Sequence, residues 1–181
     1  PDIQMHMVPY AVKNPKKRQL HKFPGMTVSI YQLRPESLGS IHIQSPDSSD
    51  QPAINFNFLS DQIDRDAMVA GFKKIREIMN TKAMMDIRGE EFSPGVDVET
   101  DDEILNFIRN TAETAYHPIG TCRMGQGPEC VVDERLKVHG LDGLRIADGS
   151  IMPTMVSGNT NAACIMIGEK ASEMIKQDNS A

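Results

Sequence analysis

At 181 residues the chain is long enough to bury a core, as one domain or as two lobes. Its 39% hydrophobic and 24% charged content is ordinary for a globular protein, and no apolar run approaches the roughly 18 residues of a membrane-spanning helix. A net charge of −6 argues against a nucleic-acid binder, which would be basic over a whole face.

The charge is unevenly placed. Residues 1–25 hold Lys13, Lys16, Lys17, Arg18 and Lys22 against Asp2 alone, so this piece is +4 and the remainder −10. No charged-then-apolar leader opens the chain, and Pro1 without a preceding methionine fits Met removal, proteolysis or excision from something longer. Cys122, Cys130 and Cys164 are odd in number and form no C-x-x-C pair, so they read as reduced thiols. A cytoplasmic location is expected, with peripheral membrane association and oligomerisation left open.

Ile3–Val8 alternates apolar and polar residues and predicts a strand. His6 there and His42 further on read as sheet residues facing solvent or a neighbouring element. Lys13 to Gly25 is a basic, Pro-containing loop: a solvated hairpin tip, or a contact for a membrane surface or an acidic partner. Strand patterns recur at 27–33, 40–44 and 53–58, separated by the turn residues of 35–39 and 46–52. Short connections imply antiparallel pairing, and one sheet of about four strands is the expectation.

From Asp61 the period changes. Ile63, Met68, Val69, Phe72, Ile75, Ile78 and Met79 make one apolar stripe on a helix ending near Asn80. Residues 86–99 are acidic and irregular, with a turn at Pro94-Gly95. Thr100 and Glu103 then form a capping-box signature for a second helix that buries Ile104, Leu105, Phe107 and Ile108.

That helix delivers the chain to His117. Pro118 biases His117 away from helical angles, so the imidazole stands on a loop, and Gly120 and Gly125 permit tight curvature beside it. A loop histidine of this kind is structural or catalytic. Leu144–Ala147 predicts a short strand ending at Asp148-Gly149, which is either a plain turn or a ligand edge. Gly158-Asn159-Thr160-Asn161 opens a final helix over about 160–176, built on Ala162, Ile165, Met166, Ala171, Met174 and Ile175. Its exposed donors and positive dipole end suit an anion, or serve as a cap with no ligand.

Together, H-P-I-G-T-C-R-M-G (117–125), V-V-D, the G-L-D-G-L-R-I-A-D-G-S-I-M-P-T run and S-G-N-T-N-A-A-C-I-M-I-G-E-K-A resemble the C-terminal part of glucose–methanol–choline (GMC) oxidoreductases. The segment R-P-E-S-L-G-S-I-H-I (34–43) is similar to that family's R-P-x-S-x-G-x-V pattern. The resemblance covers nearly the whole chain and is most specific from Tyr116 onward. It implies a flavoprotein that oxidises a small-molecule alcohol by passing a hydride to FAD. It also implies an α+β fold. Residues 1–114 would form a substrate-binding domain of antiparallel strands and helices, and 115–181 the returning strand and helix of an FAD-binding α/β domain.

In that resemblance His117 takes the hydroxyl proton and Asn159 is its catalytic partner. Asparagine there is similar to the choline-dehydrogenase-like branch rather than the glucose-oxidase-like one, and it leaves His117 as the sole acid–base group. Tyr116, His117, Asp148, Gly149, Asn159, Thr160 and Asn161 map to cofactor contacts, Asp148 and Gly149 toward the ribityl–phosphate region and Thr160 and Asn161 toward the pyrimidine edge. The chain has no G-x-G-x-x-G turn, so its partner would be the N-terminal dinucleotide-binding part of the same enzyme. Exposed apolar surface is expected on the returning segment, and the chain alone would hold no FAD and be inactive. A fold-retaining binding fragment is the alternative, against which the presence of both His117 and Asn159 counts. A metal module on His117, Cys122 and Cys130 lacks the needed spacing, so no metal is expected.

Overall fold

The alternating pattern at the start of the chain forms a strand because one side of it has a helix to pack on. In the computed structural model, which describes residues 1–14 and 17–180, β1 (Ile3–Val8) pairs antiparallel with β4 (Thr27–Gln32), with Met5 opposite Ile30. Ile3 and Ile30 face helix α1 (Gln62–Met79), and they meet it at Gly71, where an added Cβ would lie 2.9 Å from Ile30 Cδ1. The other face is polar: His6 Nε2 lies 2.8 Å from the Tyr31 hydroxyl and 2.9 Å from Gln4 Nε2.

The basic segment forms a hairpin of β2 (Val12–Asn14) and β3 (Gln19–Leu20); Pro15 and Lys16 of that run lie outside the described residues. A third pair, β5 (Ser40–His42) with β6 (Ala53–Asn55), completes the strands. The α+β class holds, but the expected single sheet of about four strands does not form. Among the described residues there are three separate two-stranded ladders, because β1 and β4 find each other across an intervening hairpin and β5 and β6 pair only together.

Two compact units result, Pro1–Glu36 with Leu59–Glu113, and Ser37–Phe58 with Thr114–Ala181. In the first unit Asp61 caps α1 by accepting from Ile63 N–H, and a single-turn helix α2 (Lys82–Met85) follows. The reciprocal capping box of Thr100 and Glu103 starts α3 (Asp101–Thr111). Val69, Ile104 and Ile108 form the buried core with Met68, Phe72, Leu105 and Phe107 around them, while Ile63 and Ile78 of the predicted stripe remain exposed. Arg76 organises the acidic segment. It donates to both oxygens of Glu91, at 2.8 and 2.6 Å, and to the carbonyls of Gly95 and Val98.

Apart from the β5–β6 ladder and helix α4 (Asn161–Asp178), the second unit has little regular structure. Its core is Val132, Leu136, Ile151, Met152, Ile167 and Ala171. Leu144–Ala147 is not a strand. The run pairs at a single position, Lys137 opposite Arg145, closed by Val138 N–H to Leu144 O at 3.0 Å and Ile146 N–H to Leu136 O at 3.1 Å. A loop with left-handed glycines at 140 and 143 joins the two runs, and only this one bridge forms between them. As expected, apolar residues of this segment are exposed: Ile165 and Met166 on α4, with Leu141 and Leu144 before it. No helix among the described residues is long and apolar enough to cross a membrane.

Candidate functional site

The second unit brings its two most informative pieces together at the start of α4. Residues 121–124 are tied by backbone bonds to the turn that follows Asp148, Cys122 N–H to Ser150 O at 3.0 Å and Met124 N–H to Ile151 O at 2.9 Å. Val131 N–H closes on Arg123 O at 2.8 Å, and His139 bonds the Gly125 carbonyl through Nε2 at 2.8 Å. The loop after His117 is therefore fixed on a packed floor, Ile119 and Met124 included.

His117 itself is half-buried and held at both ring nitrogens. Nδ1 lies 2.9 Å from Thr160 Oγ1, and Asn159 Nδ2 lies 2.9 Å from Nε2. Thr160 is buried while Asn159 is exposed, so the ring has a fixed inner side and an accessible outer one. Gly158 precedes this pair with φ of 153°, a conformation that a side chain would strain. Tyr116 holds φ at 59°, in the left-handed region that a bulky residue seldom adopts, and the residue is 76% exposed.

Asp148 caps a short 3₁₀ turn (Gly149–Ile151) rather than ending a strand. The Ser150 hydroxyl beside it, and the Ser150 N–H donating at 2.7 Å, hold its carboxyl below the usual carboxylate range. Gly149 lies where a Cβ would come 3.3 Å from Cys164 Sγ and 3.8 Å from Pro118 O, so the turn, the histidine loop and the first turn of α4 meet there.

Of the residues expected at a site, His117, Asn159 and Thr160 are in direct contact, and Gly149 packs on Cys164 and Pro118. Tyr116 and Asn161 flank them at the surface. Nothing in the sequence singles out Cys164, which packs on Gly149, or the bond from Thr160 to the histidine; the resemblance maps Thr160 to the cofactor edge and not to the ring. Among the described residues no group of three or more His, Cys, Asp or Glu could hold a metal ion.

A family model described as GMC oxidoreductase matches residues 35–168. The oxygen-dependent choline dehydrogenase of Escherichia coli O127:H6 is 44% identical over 176 residues, covering 97% of this chain and 32% of that protein. Among solved structures, pyridoxine 4-oxidase from Mesorbium loti superimposes with a TM-score of 0.86 at 27% identity, over 98% of this chain and 35% of its own. An FAD-dependent oxidoreductase from Chaetomium thermophilum gives 0.80 at 32% identity, over 86% and 27% respectively. The chain thus spans roughly a third of the length of the curated relatives it matches.

Proposed function

Because the chain belongs to the GMC oxidoreductase family, we propose that it is the C-terminal part of a flavoprotein that oxidises an alcohol to an aldehyde or ketone. The observation that carries this reading is the imidazole of His117, clamped between Thr160 and Asn159 at the start of α4. FAD, when bound, supplies the acceptor for the carbon-bound hydrogen and its electron pair.

The residues present fit such a cofactor. Thr160 occupies the N-cap position of α4 but makes no side-chain cap bond, so the positive end of an 18-residue helix is not closed by its own cap. An anionic edge that gains charge on reduction suits that end. In this reading Asn159, Thr160 and Asn161 hold one edge of the cofactor, and Tyr116, His117, Asp148 and Gly149 line the rest of the contact. Residues 1–114 serve the substrate side and residues 115–181 the flavin side. The dinucleotide-binding part lies outside this chain and is its necessary partner.

His117 takes the proton of the substrate hydroxyl at Nε2, the ring nitrogen on the accessible side, once Asn159 Nδ2, which lies 2.9 Å from that nitrogen, turns to the substrate oxygen. Asn159, which has no basic atom, holds the substrate oxygen by a hydrogen bond. Positioned proton transfer of this kind is worth about 10²–10⁴-fold. Choline is the first substrate to try, since the relative at 44% identity is a choline dehydrogenase.

In the protein that carries this chain, His117→Ala should lower alcohol turnover by about 10²–10⁴-fold while flavin absorbance is retained. Unchanged turnover would remove His117 from the reaction. The 181-residue chain by itself should release FAD on desalting, and a stoichiometric yellow complex would show that it holds the cofactor unaided.

A further inference from the structure

We infer that Thr160 is a positioning residue that fixes the proton of neutral His117 on Nδ1, leaving Nε2 as the proton acceptor. The direction of the clamp follows from the amide of Asn159. Asn159 Nδ2 carries only hydrogens and can only donate, so Nε2, 2.9 Å away, must accept. A neutral imidazole has one proton, which must then sit on Nδ1. Its partner there is Thr160 Oγ1, at 2.9 Å, and the hydroxyl oxygen accepts.

Thr160 is placed for this task and not for the one its position suggests. It stands at the N-cap of α4, where a threonine hydroxyl ordinarily accepts from the first turn, yet it makes no such bond. The hydroxyl is turned to the histidine instead, in a residue only 8% exposed. That buried oxygen is the partner the structure gives the Nδ1 proton. Its backbone carbonyl still joins the helix, accepting from Cys164 N–H at 2.9 Å, so the ring is anchored to a rigid element.

The consequence concerns which nitrogen is basic. If the acceptor at Nδ1 is removed, the ring shifts its proton toward Nε2, and the lone pair that meets the substrate is lost. A single neutral hydrogen bond biases such an equilibrium by about 2- to 10-fold. The proton position is a property of this chain's own contacts; the statement that Nε2 takes a substrate proton rests on the flavoenzyme reading above.

The test uses the protein carrying this chain, labelled with ¹⁵N-histidine and observed by long-range ¹H–¹⁵N correlation at about pH 9, above the ordinary histidine range. The His117 signals are identified by their loss in His117→Ala. Wild type should show protonated Nδ1 and bare Nε2. Thr160→Ser should preserve that pattern, and Thr160→Val, close in shape, should move the population toward protonated Nε2 by about 2- to 10-fold. With choline or another accepted alcohol, Thr160→Val should lower kcat per bound flavin by a similar factor, with Thr160→Ser restoring it. A wild-type ring protonated on Nε2, or a folded valine variant with the wild-type pattern, overturns the assignment. Should the valine variant not fold, the wild-type and serine spectra decide alone. If the ring pattern holds but His117→Ala turns over normally, the flavoenzyme reading fails while the proton assignment stands.

Discussion

Gly149→Ala tests whether that glycine exists for the packing of this chain. The added Cβ would lie 3.3 Å from Cys164 Sγ, a few tenths of an ångström inside comfortable contact, and 3.8 Å from Pro118 O. Overpacking of this kind costs about 1–3 kcal/mol, and a single overlap with a polarisable sulfur belongs at the low end. The backbone at Gly149 is not in the left-handed region, so alanine should also recover about 0.4–1 kcal/mol by restricting the unfolded chain. The net expectation is a loss of about 1 kcal/mol or less. Cys164→Ala removes the atom that is struck, so the double variant should be more stable than the sum of the two singles by about 1 kcal/mol. Urea unfolding of all four proteins measures this coupling. Additivity within about 0.5 kcal/mol would refute the packing argument and leave cofactor approach as the remaining reason for glycine.

Two further outcomes follow from the same unit. Asp178 accepts from Lys137, Arg135 and Arg145, which hold its carboxyl at about 2, below its ordinary 3.8. A lowered carboxylate stabilises the folded state above its unfolded value and loses that contribution as pH falls. The Tm difference between wild type and Asp178→Asn should therefore be full at neutral pH and close between about pH 4 and pH 2; a difference that persists in acid would contradict the ion network. Gly39→Ala should be far more damaging, because its Cβ would lie 2.2 Å from Asn55 O and 2.9 Å from Phe56 O, backbone atoms that cannot rotate aside. A loss of about 3 kcal/mol with opening of the β5–β6 hairpin is expected, and a wild-type urea midpoint would rule out the clash.

Where the sequence and the structure agree, the cause was local. The capping box at Thr100 and the three- and four-residue periodicity from Asp61 act within one or two turns, and both helices form where the pattern placed them. Strand pairing depends on partners far along the chain, which no short pattern names. So 27–32 was recognisable as a strand beside 3–8, but that 40–42 pairs only with 53–55 and does not extend that sheet was not. Leu144–Ala147 misled because a short apolar run suits a core-packed loop as well as a strand: Ile146 packs against the core and only one bridge forms. At the site, His117 and Asn159 were legible as members of a motif, and the family match agrees with the motif. The bond from Thr160 was not, since it joins residues 43 apart through a side chain whose position already had an ordinary explanation.

Tyr116 separates strain from function in the remaining part of the site. A non-glycine residue in the left-handed region costs about 1–2 kcal/mol, and an exposed tyrosine gains little from burial to offset it. Thr114 Oγ1 accepts from Tyr116 N–H at 3.0 Å, a short-range bond that helps impose the turn just before His117. Tyr116→Gly should remove the strain and raise stability by about 1 kcal/mol, less the added freedom of the unfolded chain. If the ring lies on the cofactor side, the same variant should lose flavin on dilution faster than wild type despite being more stable. Stability gained with flavin retention unchanged would exclude the tyrosine side chain from the cofactor site. Stability lost would mean that the exposed ring is covered by the rest of the protein, and that its strained backbone is held there by packing.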